Sequence, residues 1–144
     1  MKKILIAVLC FVTLISCEKK DEKMKENITL KLKEQLKNPD SFEFVSMNIS
    51  KTFSVKERKE TTTKESLEKI REINNQIPSE DLLKHIETEY DFLEKQTDEN
   101  KEAVYYVDFV AKGTNSFGGI IQSKYSATVL NDENLTVLSI SKND

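Results

Sequence analysis

One histidine, three glycines, two prolines and two cysteines are all that this 144-residue chain holds of the residues that most often build special sites and sharp turns. A lone histidine, His85, argues against a zinc site, which needs several Cys or His ligands. Cys10 lies inside an apolar run and Cys17 follows it, so removal of that run leaves one cysteine. No disulfide can then form, and the fold must stand on packing. There is no cluster of Lys and Arg, and the net charge is −3. Both argue against nucleic acid as a partner, because phosphate binding rests on such clusters. The longest apolar run, Ile4 to Ile15, has twelve residues with only Thr13 interrupting. A helix needs about 20 to cross a bilayer, so this is no membrane span.

What is present begins with that run. Met1-Lys2-Lys3 is a positive start, and together with the short apolar core it matches a secretory signal over residues 1–16. Leu14-Ile15-Ser16-Cys17 then resembles the lipobox of bacterial lipoproteins. By that resemblance the Cys17 thiol takes a diacylglyceryl group, the Ser16–Cys17 bond is cut, and the new amine is acylated. Cysteine suits the role because its sulfur is the strongest side-chain nucleophile. Several acyl chains on one residue hold a membrane firmly where a single chain does not. Position 18 is Glu and not the Asp of inner-membrane retention, so the outer membrane is the expected address. Glu18-Lys19-Lys20-Asp21-Glu22 resembles the surface-export signal of Bacteroidota lipoproteins; a solvated tether over 17–23 is the alternative.

Residues 24–144 read as one α+β domain. Met24, Ile28, Leu32 and Leu36 recur every four positions and predict a helix over 24–37, which Asn38-Pro39-Asp40-Ser41 ends. Val45, Met47, Ile49, Phe53 and Val55 alternate with polar residues, as in a half-buried strand or a hairpin, and Lys51 marks a turn or bulge. Charged, Thr-rich 56–63 reads as an exposed continuation. Leu67, Ile70, Ile73 and Ile77 give one helical stripe. Leu82, Leu83, Ile86, Tyr90 and Leu93 give a second, with Ser79 a candidate N-cap between them. This 64–96 stretch is expected as a two-helix insertion lying on other apolar surface. Val104 to Val110 is apolar on both faces and predicts a covered central strand, and Asn131-Asp132-Glu133-Asn134 closes a C-terminal hairpin. The layout resembles a cystatin-like helix on a curved antiparallel sheet, a likeness of architecture that gives no function.

All three glycines, 113, 118 and 119, fall in Gly113-Thr114-Asn115-Ser116-Phe117-Gly118-Gly119. Glycine serves where φ is positive or backbone is closely approached. Two readings stay open. Either the loop is a wide turn with Phe117 tucked into the core and Asn115 bonding local backbone, or Asn115, Ser116, Phe117, Gly118 and Gly119 present an interaction loop. Spacing and the lack of a lysine rule against a phosphate loop. With Leu36-Lys37-Asn38-Pro39-Asp40-Ser41-Phe42, the Asn115–Gly119 segment resembles a family of uncharacterised small bacterial lipoproteins and secreted proteins. Its members carry an Asn-Pro-Asp-Ser type of element after a first helix and a later Asn-Ser-Phe-Gly-Gly element. The resemblance implies a shared fold, with 64–96 as an insertion, and no particular activity.

Among polar candidates, His85 reads as helix surface or boundary, and Glu87, Glu89 and Asp91 as a solvated face. Asp108 interrupts an apolar strand, as a structural carboxylate, one at a wet sheet face, or a general acid. No nucleophile turn is recognisable, and no metal or cofactor is expected. The leading expectation is a lipid-anchored envelope protein, non-enzymatic, that binds a protein or a cell-wall polymer. The alternatives are an inhibitor or immunity-type lipoprotein neutralising an envelope enzyme or toxin, and an enzyme with a carboxylate site.

Overall fold

The computed structural model describes residues 19–115 and 117–143; the lipobox with Cys17, and Ser116, lie outside the described residues. The domain is α+β, as expected. Helix α1 covers 19–33, β1 is Glu43–Ser54, and α2 (Val55–Thr61), α3 (Lys64–Gln76) and α4 (Glu80–Glu94) follow. Strands β2 (Glu102–Thr114), β3 (Ile120–Leu130) and β4 (Val137–Asn143) complete one antiparallel sheet in the order β1-β2-β3-β4.

Helix α1 lies on one sheet face. Its stripe of Met24, Ile28 and Leu32 is buried against Tyr105, Val107, Phe109, Ala127 and Val129. Each such side chain contributes about 1.5–3 kcal/mol on leaving water. Phe44, Phe109 and Tyr125 stack in turn across three strands, at 5.3 and 5.2 Å between ring centres. Residues 19–23, expected as a tether, are helical instead. Lys20 holds its ammonium 4.4 Å from the centre of the Tyr105 ring and donates to the Tyr105 hydroxyl, and Lys23 Nζ donates to the Glu133 carbonyl at 2.6 Å. At the other end α1 stops at 33, short of 37: the amides of Gln35 and Leu36 bond three residues back, to the Leu32 and Lys33 carbonyls, and the helical pattern ends in a tight turn.

Strand β1 is a single strand whose register against β2 shifts between Phe44 and Ser46, Ile49 and Lys51, and Phe53 and Ser54. The second shift matches the irregularity expected at Lys51. The first turns Val45 out to solvent, where the alternation placed it on the apolar face. Residues 56–63 are not a strand. Ser54 and Glu57 form a reciprocal capping box that starts α2, and Val55 is buried beneath it. Ser79 makes no side-chain cap to α4; its amide donates to Asn74 Oδ1 at 2.7 Å.

A second, smaller core covers only the lower end of the opposite face, where Val55 and Leu93 meet Ala103, Val104 and Leu130. Helix α3 rests on α4, joined by Arg71 and Glu87 at 2.8 Å, and leaves Ile73 and Ile77 exposed. The pair therefore meets the sheet mainly through α4. Above the second core Tyr106 and Asp108 are open to water, so β2 is not covered on both faces along its whole length.

Candidate functional site

The connection between β2 and β3 is the end of the longest unbroken ladder in the sheet, with Thr114 facing Ile120 across its last rung. Asn115 closes it. Its amide donates to the Gly119 carbonyl at 2.9 Å, and its carbonyl accepts from Gly118 N at 3.0 Å. Its side-chain Oδ1 accepts from Phe117 N at 3.0 Å and Gly119 N at 2.8 Å. One side chain thus satisfies the amides of a turn that no strand partners. Gly118 takes φ +80°, which side-chain-bearing residues rarely adopt, and a Cβ on Gly119 would sit 3.3 Å from the Asn115 amide nitrogen. Gly113 needs neither property: a Cβ there would meet Ser41 Oγ at an ordinary 3.6 Å.

The consequence is that Phe117 is 95% exposed. It does not tuck into the core, so that part of the wide-turn reading is overturned, while the bonding of Asn115 to local backbone holds. Ile120 and Ile121 follow at 77% and 47% exposed. The tip is therefore an apolar protrusion held in shape by its own hydrogen bonds.

The segment around Pro39 supports the tip from the side. Asn38 Nδ2 donates to Thr114 Oγ1 at 2.8 Å, and Thr114 N donates to Ser41 Oγ at 3.0 Å. The Leu36–Phe42 segment is thus bonded to Thr114, the residue directly before the Asn115–Gly119 loop. Between them lies a shallow pocket of about 170 Å³ with Leu36, Phe42, Ile121 and Tyr125 among its walls and Lys112 and Lys142 at its edge.

Other sequence candidates fall elsewhere. Asp108 is exposed on the open sheet face, where Ser126 Oγ donates to its Oδ1 at 2.7 Å and Asn143 Nδ2 donates to Ser126 at 2.8 Å. It is a carboxylate at the wet face, not a buried acid. Glu87 pairs with Arg71 at the surface and Asp91 is exposed, but Glu89 is fully buried, which overturns its reading as part of a solvated face. Arg58 Nε donates to Glu89 Oε1 at 2.6 Å and Thr62 Oγ1 does so at 3.1 Å, while His85 Nε2 stands 3.6 Å from Oε2. Burial alone would push the Glu89 carboxyl up. The nearby His85, the hydrogen bonds from Arg58 and Thr62 and the Arg58 charge more than reverse this and hold it at about 2. The sequence carried a signal for this: Glu89 falls three after Ile86 and four before Leu93, inside the apolar stripe.

Among the described residues no group of three or more His, Cys, Asp or Glu is placed to hold a metal ion, and no helix is long and apolar enough to cross a membrane. Compared with known proteins, the chain matches no family model, no curated protein and no solved structure.

Proposed function

We propose that this chain is a lipid-anchored cell-envelope protein, held at the outer membrane through Cys17, whose domain works without catalysis by docking another envelope component on its Asn115–Gly119 loop. The observation that carries the reading is Phe117, exposed on a loop that Asn115 locks in place. Exposing a large aromatic side chain on a rigid frame gains nothing for the fold and lowers the ordering cost of binding.

The direction of the domain supports it. Helix α1 lies near Glu102 and Tyr105 through Lys20, at the lower end of β2, and the turn that follows it reaches the loop end of the sheet through Leu36 and Asn38. From Glu102 to Thr114 the strand rises about 40 Å at 3.3 Å per residue. Cys17 is three residues before Lys20, a reach of about 10 Å. A chain anchored by Cys17 would carry its loop at the pole away from the anchor.

Pull-down from detergent-solubilised envelope tests the docking, with the wild-type domain and Phe117→Ala as baits of matched thermal stability. A stoichiometric partner lost with Phe117→Ala supports the loop; a partner kept by both moves docking elsewhere. Mass spectrometry of the mature N-terminus tests the anchor. A rigid apolar loop also suits the inhibitor or immunity reading, in which it would enter the cleft of an envelope enzyme or toxin. Loss of protection against that target in Phe117→Ala cells would favour it.

A further inference from the structure

We propose that the component met by the loop is an anionic lipid surface, entered by Phe117, Ile120 and Ile121 and gripped by the lysines behind them. This rests on the reading of the loop as a docking tip and names its occupant.

The shape favours lipid. Phe117 and Ile120 stand outward at the tip, and Ile121, half exposed, borders only the shallow pocket below them. A protein partner must supply a matching cleft, whereas acyl chains close around any protruding apolar shape. The layering favours lipid too. Lys112 lies two residues below Thr114 and Lys124 four below Ile120, so they sit about 7 and 13 Å behind the rim of the strands. Apolar groups of interfacial elements enter about 5–10 Å, which leaves these ammonium groups at the level of the headgroups. Lys142, opposite Tyr125, lies at the same end of the sheet, and Lys37 is next to the Asn38 that holds Thr114.

Charge complementarity fixes the sign. The chain as a whole is acidic, with a net charge of −3. Among the described residues at this pole, Lys37, Lys112, Lys124 and Lys142 outnumber Asp40 and Glu43, with Glu43 directly opposite Lys112. An anionic surface therefore attracts this end and repels much of the rest, which orients the approach. Because α1 starts at the other pole, a chain held by Cys17 would meet with its tip a lipid surface other than the leaflet holding the anchor.

The test uses residues 19–144, which contain all four strands and both cores and lack the apolar run and any acyl group. Co-sedimentation is measured with phosphatidylglycerol–phosphatidylcholine vesicles and with pure phosphatidylcholine. Binding is expected to the anionic vesicles, falling about 10- to 100-fold with Phe117→Ala, the factor for one aromatic side chain left in water. Each of Lys112→Gln and Lys124→Gln should lower it about 5-fold. The chain has no tryptophan, so Phe117→Trp supplies a single reporter at a position whose side chain supports no packing. Its emission should shift to the blue and be quenched by brominated lipid. Ile77→Ser, on the exposed helical elbow, should bind like wild type. No binding to anionic vesicles, equal binding by Phe117→Ala, or loss with Ile77→Ser overturns the lipid proposal. If vesicles are ignored while an envelope protein is lost with Phe117→Ala, the docking loop stands with a protein occupant. If neither assay responds to Phe117→Ala, both readings fail.

Discussion

Asn38 and Thr114, separated by 76 positions in sequence, share a side-chain hydrogen bond of 2.8 Å that fastens the turn after α1 to the last residue of β2. With Thr114 N donating to Ser41 Oγ, the base of the loop is braced from outside the hairpin, while Asn115 braces it from inside.

Removing the inner brace should loosen the loop and spare the domain. In Asn115→Ala the amides of Phe117 and Gly119 lose their acceptor, so their hydrogen exchange should quicken, with the urea midpoint nearly unchanged. Unaltered exchange at both amides would mean that the backbone alone sets the loop.

The glycines should separate by conformation. Gly118→Ala forces a side chain into positive φ and should cost about 1 kcal/mol in urea unfolding. Gly113→Ala meets only an ordinary contact at Ser41 and, being in a strand, should be neutral or slightly stabilising. Equal losses at the two positions would contradict this account.

Acid should act through Glu89. An unfolded glutamate titrates near 4.3, while the folded carboxyl is held at about 2. Its contribution is complete above about pH 5 and is lost as pH falls toward 2, amounting to about 3 kcal/mol. Glu89→Ala should abolish that part of the pH dependence of urea unfolding between pH 2 and 5. At neutral pH it should cost about 3–5 kcal/mol, since it leaves the largely buried Arg58 unpaired.

Helix α2 should depend on its first turn. Ser54→Ala removes one half of the capping box and should destabilise the domain by about 1 kcal/mol, read from thermal unfolding. No loss would show that burial of Val55 suffices.

Much of the fold was legible where a single period ran long. Met24, Ile28 and Leu32 declared the face of α1, and the apolar β2 declared the centre of the sheet. Three misreadings share a cause, namely that charge was taken as exposure. Lys20 and Lys23 looked like tether but bring their ammonium groups to Tyr105 of the sheet and to the Glu133 carbonyl in the β3–β4 turn. Residues 56–63 read as an exposed continuation of the strand although Ser54-x-x-Glu57 spells a helix start. Glu89 looked solvated because its partner Arg58 comes from another helix, a pairing no local pattern contains. At the candidate site, the sequence located the loop but not the direction of Phe117, which turns on how Asn115 folds back on two amides.

The ladder between β2 and β3 pairs eleven residues on each strand without a break, whereas β1 joins β2 with three irregularities. Under load these seams differ. A tug on the tip along the strand axis runs down the β2–β3 hairpin, where the hydrogen bonds lie across the pull and resist together. The β1 seam, dislocated in three places, cannot share that load evenly, so the hairpin acts as a stiff spar and β1 as its more compliant flank.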